Sequence, residues 1–418
     1  MNRRPRGIPT LKGTLSPGVL LLVVAVKSVL PGDCAAGTPL QGAAAPASTM
    51  SQTAPETRIS RWDTPRRGAN YVISNADPAR DFADAKSNGM NVLRLFIPGV
   101  PRDWPEERDY FADKRFQADL VSFDAVLDKA ADAGLPVILV GGSVPGRQWL
   151  WNEHGRGDQR LFRNERWHKE LAAYWSRVAE RYRRHPAVIA YELLNELYPE
   201  ALEDRDQWSR AALDAFYAKV AGTAADLNAI YACVVEAVRR VDGDAPIILD
   251  SGLWGGPAAL FNLQPIKDDP RVLYSFHWYA PEVYTIWRLN KSEIVYPGCV
   301  TAQIGDVGTV DRVEWNADTH RRLMAEPVLQ WRRDHRIPAS RILCGEFSAD
   351  RRAAGADQWN RDVIEILEAN GWHWTYYAFR EREWNAKDFE LGPSPDNLER
   401  SAHPMMKTFT EPMARNRP

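Results

Sequence analysis

Cysteine is scarce. Four occur in 418 residues, at positions 34, 233, 299 and 344, too few and too widely spaced for a disulfide framework or a zinc motif. Stability must therefore come from an ordinary apolar core. Long hydrophobic runs are missing as well: the apolar stretch 19–26 is far shorter than the roughly 20 residues a bilayer span needs, so no transmembrane anchor is expected. Charge of one sign is not in excess, with 53 Lys+Arg against 55 Asp+Glu. No basic stripe interleaved with aromatics appears, which argues against nucleic acid as a partner. No glycine-rich phosphate turn follows the first expected strand, which argues against a doubly wound nucleotide-binding sheet.

What the chain does have is tryptophan, 16 residues, all beyond position 60. A core absorbs some of them. Indole faces also cover the C–H faces of pyranose rings, so the number raises a carbohydrate reading.

The first 57 residues differ in composition from the rest. Arg3, Arg4, Arg6 and Lys12 precede the apolar run, Lys27, Pro31 and Gly32 end it, and Ala35 and Ala36 offer small residues for cleavage. This order predicts a signal peptide over 1–36 and a secreted or periplasmic protein. Cys34 offers lipoprotein attachment as an alternative, although Asp33 is not the small residue such sites prefer. Residues 37–57 are rich in Ala, Pro, Ser and Thr without hydrophobic period and are expected to be a disordered tether. A single folded domain is expected over 58–418, acting as a monomer.

From residue 66 onward, short apolar runs alternate with amphipathic ones, the pattern of repeated βα units. Strands are expected at 68–72, 91–97, 136–140, 188–194, 246–250, 272–277, 341–346 and 372–379. Helices are expected at 78–88, 118–133, 165–182, 224–241, 321–333 and 356–370. Gly89, Gly134 and Gly371 stand just past three of them, where positive φ stops a helix. Residues 280–320 read as a long loop, and no helix is evident after the fifth strand. Eight such units close a (β/α)8 barrel, an α/β fold whose active site lies at the strand C-termini.

The polar residues at those ends carry the chemistry. Glycoside cleavage needs one carboxyl group to protonate the departing oxygen and another to attack, or to activate water, at the anomeric carbon. Strand four runs into Tyr191-Glu192-Leu193-Leu194-Asn195-Glu196, and strand seven into Leu343-Cys344-Gly345-Glu346. Arg94 lies near the end of strand two, and His277 and Tyr279 at the end of strand six. Singly, each has a structural explanation; together, each at a strand mouth, they point to a two-carboxylate site. A guanidinium beside Glu346 would keep it ionised for attack, while burial and the charge of Glu346 would help Glu196 hold a proton. No metal or organic cofactor is required.

The segments RGANYV (67–72), NVLRLF (91–96), YELLNEL (191–197), YSFHWY (274–279) and ILCGEF (342–347) together resemble glycoside hydrolase family 5, over nearly all of residues 66–410. The resemblance implies a retaining enzyme that cleaves β-linked glucan or mannan-type oligo- and polysaccharides, with Glu196 as acid/base and Glu346 as nucleophile. It further implies that Asn195 binds the 2-hydroxyl of the cleaved sugar, that Arg94 and Tyr279 contact the nucleophile, and that His277 lines the same sugar site. Two positions depart from the family. Its members usually carry a histidine at the end of strand three, where this chain has Gly142. The usual strand-eight tryptophan is also unmatched; Tyr377 is the nearest aromatic, and Trp384 could supply a platform from the next loop. Trp149, Trp151, Trp254, Trp278 and Trp287 are likewise expected on loops at the catalytic face, with Trp254 and Trp384 as stacking platforms. The competing class is a barrel that binds sugar polymers without cutting them.

Overall fold

The computed structural model describes residues 57–416 apart from 74–76, 101–109, 149–156, 204, 206–207, 287–289, 291–292, 304–309 and 382–384. The expected signal segment, nearly all of the tether, and Trp149, Trp151, Trp287 and Trp384 lie outside the described residues.

The described residues form ten strands: β1 (Arg67–Tyr71), β2 (Val92–Phe96), β3 (Val137–Val140), β4 (Val188–Glu192), β5 (Ile247–Asp250), β6 (Val272–Trp278), β7 (Gly298–Gln303), β8 (Val310–Trp315), β9 (Ile342–Phe347) and β10 (His373–Tyr376). Eight of them close a barrel in the order β1-β10-β9-β6-β5-β4-β3-β2, and every pair is parallel. The fold is a (β/α)8 barrel, as the alternation of apolar runs implies.

Burial on both faces explains why the strands read as continuous apolar runs rather than alternating ones. Val92, Ile138, Val140, Ile189, Ala190, Ile248, Leu273 and Leu343 form one buried cluster inside the barrel, with Trp62, Ile59 and Phe96 packed on it. The outward-facing residues meet the helices in a second, larger core.

The connecting helices begin where side chains can satisfy their first amides. Asp77, Asp113, Ser209 and Asp226 cap Pro78–Ser87, Lys114–Asp132, Arg210–Val220 and Leu227–Val241 in this way. The helix Arg210–Val220 was not evident in the sequence. Gly134 and Gly371 have φ of +63° and +66° where helices stop, as their positions implied.

The region 280–320 is more ordered than expected. It contains the short helix Glu282–Thr285 and the antiparallel pair β7–β8, in register from Gly298–Trp315 to Gln303–Val310. Trp315 and His320 anchor its base through ring contact. Cys233, Cys299 and Cys344 are all free.

Candidate active site

Three strand ends on one rim of the barrel bring four carboxylates together: Glu192 and Glu196 from β4 and the turn beyond it, Asp250 from β5, and Glu346 from β9. All four are buried, so the cation that reaches them has a large effect in a site of low polarisability.

Arg94, fully buried on β2, is that cation. Its Nε donates to Glu192 Oε2 at 2.8 Å, and its Nη2 also donates to Glu192 Oε1. Nη1 donates to Glu346 Oε1 at 2.5 Å and to Asn70 Oδ1 at 2.7 Å. Nη2 reaches Asn195 Oδ1 at 2.5 Å as well. A planar guanidinium can serve this many acceptors at fixed angles, which an ammonium cannot. Burial works to lower the Arg94 pKa, but Glu192 and Glu346 outweigh it and hold the group cationic. Glu192, despite its arginine, is pushed up to about 7 by burial.

Glu346 lies within β9. Besides Arg94, its carboxylate accepts from the Tyr279 hydroxyl at 2.8 Å. A register shift between Phe276 and His277 sets His277 opposite Glu346 in the β6–β9 pair. Asn70 Nδ2 and Thr375 Oγ1 both donate to the carbonyl of Gly345, fixing the backbone just before Glu346.

Glu196 stands four residues beyond the last residue of β4, with φ +49°. A non-glycine residue there is held by its surroundings. Here its N–H donates to Asp250 Oδ2 at 3.1 Å, and its carbonyl accepts from Arg147 Nη2 at 2.5 Å. The preceding amide of Asn195 donates to the carbonyl of Gly141 at 3.1 Å. The ends of the two neighbouring strands, β3 and β5, thus hold the backbone from which the Glu196 carboxyl projects.

His277 Nδ1 is 2.9 Å from Glu196 Oε1, and its Nε2 is 3.6 Å from Asp250 Oδ2. Burial raises the Glu196 pKa, and the charge of Glu346 raises it further against the opposing pull of His277. For His277, burial acts downward, but Glu346, Asp250 and Glu196 together raise it to about 9. The Glu196–His277 pair therefore keeps a proton through neutral pH.

Two groupings, Glu192–Asp250–His277 and Glu196–His277–Glu346, each place one potential ligand atom per residue within 4.8 Å of the others. Arg94 already engages Glu192 and Glu346, so in both groupings a cation would compete with a guanidinium. The second grouping also sets a carboxylate oxygen of Glu196 within 4.8 Å of one of Glu346.

Of the residues expected from sequence, Arg94, Asn195, Glu196, His277, Tyr279 and Glu346 are gathered in this cluster. His277 has no exposed surface and backs the two carboxylates. Tyr377 is half-buried, and its hydroxyl donates to Glu381 at 3.2 Å. Burial, then Glu381 and Glu346, raise its pKa well above the usual tyrosine range. Trp254 is half-buried on the turn after β5, stacked on Tyr198 with centroids 5.1 Å apart. Trp278 differs from expectation: it ends β6 inside the core, where its Nε1–H donates to His320 Nδ1 at 3.0 Å. Trp384 lies outside the described residues.

Glu192, Asp250, Asn70 and Arg147 were not singled out from the sequence. Glu192 and Asp250 carried the same signal as Glu196 and Glu346, an acidic residue closing an apolar strand. Gly142 is explained by Phe96: a Cβ at 142 would lie 2.8 Å from Phe96 Cδ1. The Phe96 ring also lies against Arg94, 5.2 Å from its guanidinium carbon.

Known proteins share this architecture. The chain is 24% identical over 255 residues to Endoglucanase C of Acetivibrio thermocellus, covering 55% of this chain and 64% of that protein. It therefore spans about two thirds of its curated relative at most. Among solved structures, Thermotoga maritima Cel5A in complex with cellobiose superposes with a TM-score of 0.58 at 20% identity, over 85% of this chain and 99% of that one. The same enzyme in complex with mannotriose gives 0.57 at 19% identity, over 84% and 99%. These likenesses carry the fold. A match to the family itself runs over residues 55–383, from ahead of the first strand to beyond the last, and by it the chain belongs to the cellulase family, glycosyl hydrolase family 5.

Proposed function

We propose that this chain hydrolyses β-linked glucan or mannan-type chains with retention of configuration, Glu196 serving as acid/base and Glu346 as nucleophile. The observation that carries the reading is the close approach of the two carboxylates, with oxygens within 4.8 Å. Direct attack needs carboxyl groups about 5–5.5 Å apart, whereas an intervening water needs about 6.5–9.5 Å. Their partners divide the roles. Glu346 faces a guanidinium and a phenol that stabilise its charge, while burial and the neighbouring anion press Glu196 to keep its proton.

In the first step Glu346 forms a bond to the anomeric carbon as the glycosidic bond breaks, and the departing oxygen takes the proton of Glu196. The glycosyl ester leaves Glu346 uncharged, which removes one cause of the raised Glu196 pKa. Glu196 then takes a proton from water as that water attacks the same carbon, and Glu346 departs as carboxylate. Two inversions give retention. Arg94, Tyr279 and His277 act through the carboxylates, and Asn195 commits its oxygen to Arg94, leaving its amide N–H2 to donate to the sugar. Trp254 and Tyr377 are assigned as sugar contacts, with Trp384 as a further platform.

The family and the relative's endoglucanase name favour β-1,4-glucan, and the mannotriose complex of a structural neighbour keeps mannan in view. A panel of defined cello-, manno- and laminari-oligosaccharides, with product analysis and Glu346→Ala as control, decides among them. Turnover undiminished in Glu346→Ala overturns the mechanism.

Export by the 1–36 segment, with 37–57 as tether and a monomeric domain over 58–418, belongs to the same proposal. Its support is the sequence order of charge, apolar run and small residues, and no helix among the described residues is long and apolar enough to cross a membrane. The N-terminus of the mature protein, read by mass spectrometry, tests cleavage and separates it from acylation at Cys34.

A further inference from the structure

The chain beyond Glu196 does more than leave the barrel. Leu197, Tyr198 and Glu200 each reach the turn that follows β5. The amide of Trp254 donates to the carbonyl of Leu197 at 2.7 Å. The ring of Tyr198 stacks on the Trp254 indole at an interplanar angle of 26°. Both oxygens of Glu200 accept from the amide of Leu253 at 3.2 Å, and Oε1 also accepts from the Tyr217 hydroxyl at 2.6 Å.

The turn itself is unusual. Leu253 (φ 47°, ψ 50°) and Trp254 (φ 57°, ψ 35°) are consecutive non-glycine residues in the left-handed region, a conformation L residues keep only when the surroundings impose it. At Gly252, a Cβ would lie 2.0 Å from Tyr217 Oη and 2.4 Å from Glu200 Oε1. At Gly255, with φ +80°, a Cβ would lie 3.1 Å from the His277 ring. The turn is thus wedged between the Glu200–Tyr217 pair on one side and the catalytic cluster on the other.

Glu200 is fully buried and, among the described residues, forms no ion pair. A buried carboxylate without a cation is a poor way to gain stability. What its two oxygens do hold is the backbone amide just before Trp254.

We infer that Glu200 is a positioning residue for sugar binding: with Tyr217 it locks the 252–255 turn, and so fixes the Trp254 indole beside Tyr198 on the leaving-group side of the cleft. The side is part of the inference, and its ground is that the Trp254 amide is bonded to the carbonyl of Leu197, the residue next to the one that protonates the departing oxygen. The inference rests on the assignment of Glu196 as acid and of Trp254 as a sugar platform.

The test compares two substrates. Cellotetraose places sugars on both sides of the bond cleaved, whereas an aryl β-cellobioside has only the aryl group on the leaving side. Glu200→Leu is expected to raise KM for cellotetraose by about tenfold, the loss of one stacking contact, with a much smaller change in kcat. Hydrolysis of the aryl cellobioside should change less than about twofold, since no sugar occupies the affected place. Glu200→Gln should restore the cellotetraose KM, because its amide oxygen accepts from Leu253 while its N–H2 donates to the Tyr217 oxygen. Glu200→Leu combined with Trp254→Ala should be no worse for KM than Trp254→Ala alone. Tyr217→Phe, which removes one support of the same carboxylate, gives a second measurement if Glu200→Leu does not fold, with a smaller rise in KM in the same direction. Equal losses on both substrates, an unchanged cellotetraose KM, or additive effects of Glu200→Leu and Trp254→Ala would each overturn the inference while leaving the two-carboxylate mechanism standing. Undiminished turnover of the aryl cellobioside by Glu346→Ala would instead overturn both.

Discussion

Placing a histidine at position 142 would restore what the family resemblance implies at the end of strand three, and Phe96 is what stands in its way. Gly142 has no positive φ, so the backbone accepts a side chain; the obstacle is steric. Its Cβ would meet Phe96 Cδ1 at 2.8 Å and Cε1 at 3.3 Å, where ordinary contact begins at 3.4 Å. The ring must retreat, yet it is packed on the barrel-interior cluster and lies against Arg94. Gly142→His alone should therefore cost about 1–3 kcal/mol, the usual range for overpacking. Phe96→Ala should cost about 2 kcal/mol, roughly half the value for a fully buried phenylalanine because this one is half-buried. In the double variant the imidazole enters the space the ring leaves, so the two costs should fall short of their sum by about 1–2 kcal/mol. Urea unfolding of the four proteins, followed by tryptophan fluorescence, measures the cycle. Additivity within about 0.5 kcal/mol would refute the claim that Phe96 and Gly142 exchange one volume.

Further outcomes follow from the same geometry. Glu196→Ala should harm natural oligosaccharides far more than a substrate with an acidic phenol leaving group, whereas Glu346→Ala should abolish turnover of both; equal losses on both in Glu196→Ala would deny it the acid's role. Arg94→Lys replaces a fork serving Glu192, Glu346, Asn70 and Asn195 with at most three donors, so stability should fall by about 2–4 kcal/mol in urea unfolding, and a loss below about 0.5 kcal/mol would show the fork to be dispensable. In Glu346→Gln, which keeps the volume but removes the anion that helps raise Glu196, the Glu196 carboxyl should titrate at lower pH than in the unaltered protein, as read by NMR of the labelled carboxyl; a shift to higher pH contradicts the coupling. His277 is raised to about 9 in the folded protein, so it binds its proton more tightly folded than unfolded. Its contribution to stability is full below about pH 6.5 and lost as pH rises through about 9, and His277→Gln should flatten that part of the stability profile.

The barrel was legible because strands covered on both faces become unbroken apolar runs, and because glycines such as Gly134 and Gly371 mark the helix ends. The hairpin β7–β8 was not, since its alternation is broken by Pro297 and Gly298 at its start and it pairs only with itself. Within the site, residues at strand mouths could be found by asking which polar group closes an apolar run. That rule found Glu196, Glu346 and Arg94 and should have found Asp250. It could not distinguish Trp278, which closes β6 but turns into the core toward His320, from Trp254, which stands on a turn whose left-handed backbone no local sequence pattern announces. Glu200 was illegible for a related reason: its partners, Leu253 and Tyr217, are distant in sequence and meet it only through the closure of the barrel.

The pKa directions have a common origin in the charge of the buried cluster. Glu192, Glu196, Asp250 and Glu346 bring four acidic groups, and Arg94 and Arg147 bring two permanent cations. Fully ionised carboxylates with neutral His277 would leave a net charge of two units in a site screened from water, which is costly. Protons are the mobile charges that can reduce it. His277, facing three carboxylates, takes one. The next falls to Glu196, where burial and the charge of Glu346 outweigh the opposing pull of His277 and Arg94, while the Glu346 carboxylate accepts directly from Arg94 and Tyr279. Glu192 competes, being pushed to about 7, but the guanidinium fork opposes its protonation. The same balance explains why the acid can become a base. When Glu346 is esterified the cluster loses one negative charge, so the proton on Glu196 is no longer needed for neutrality, and its departure with the leaving group restores the balance rather than disturbing it.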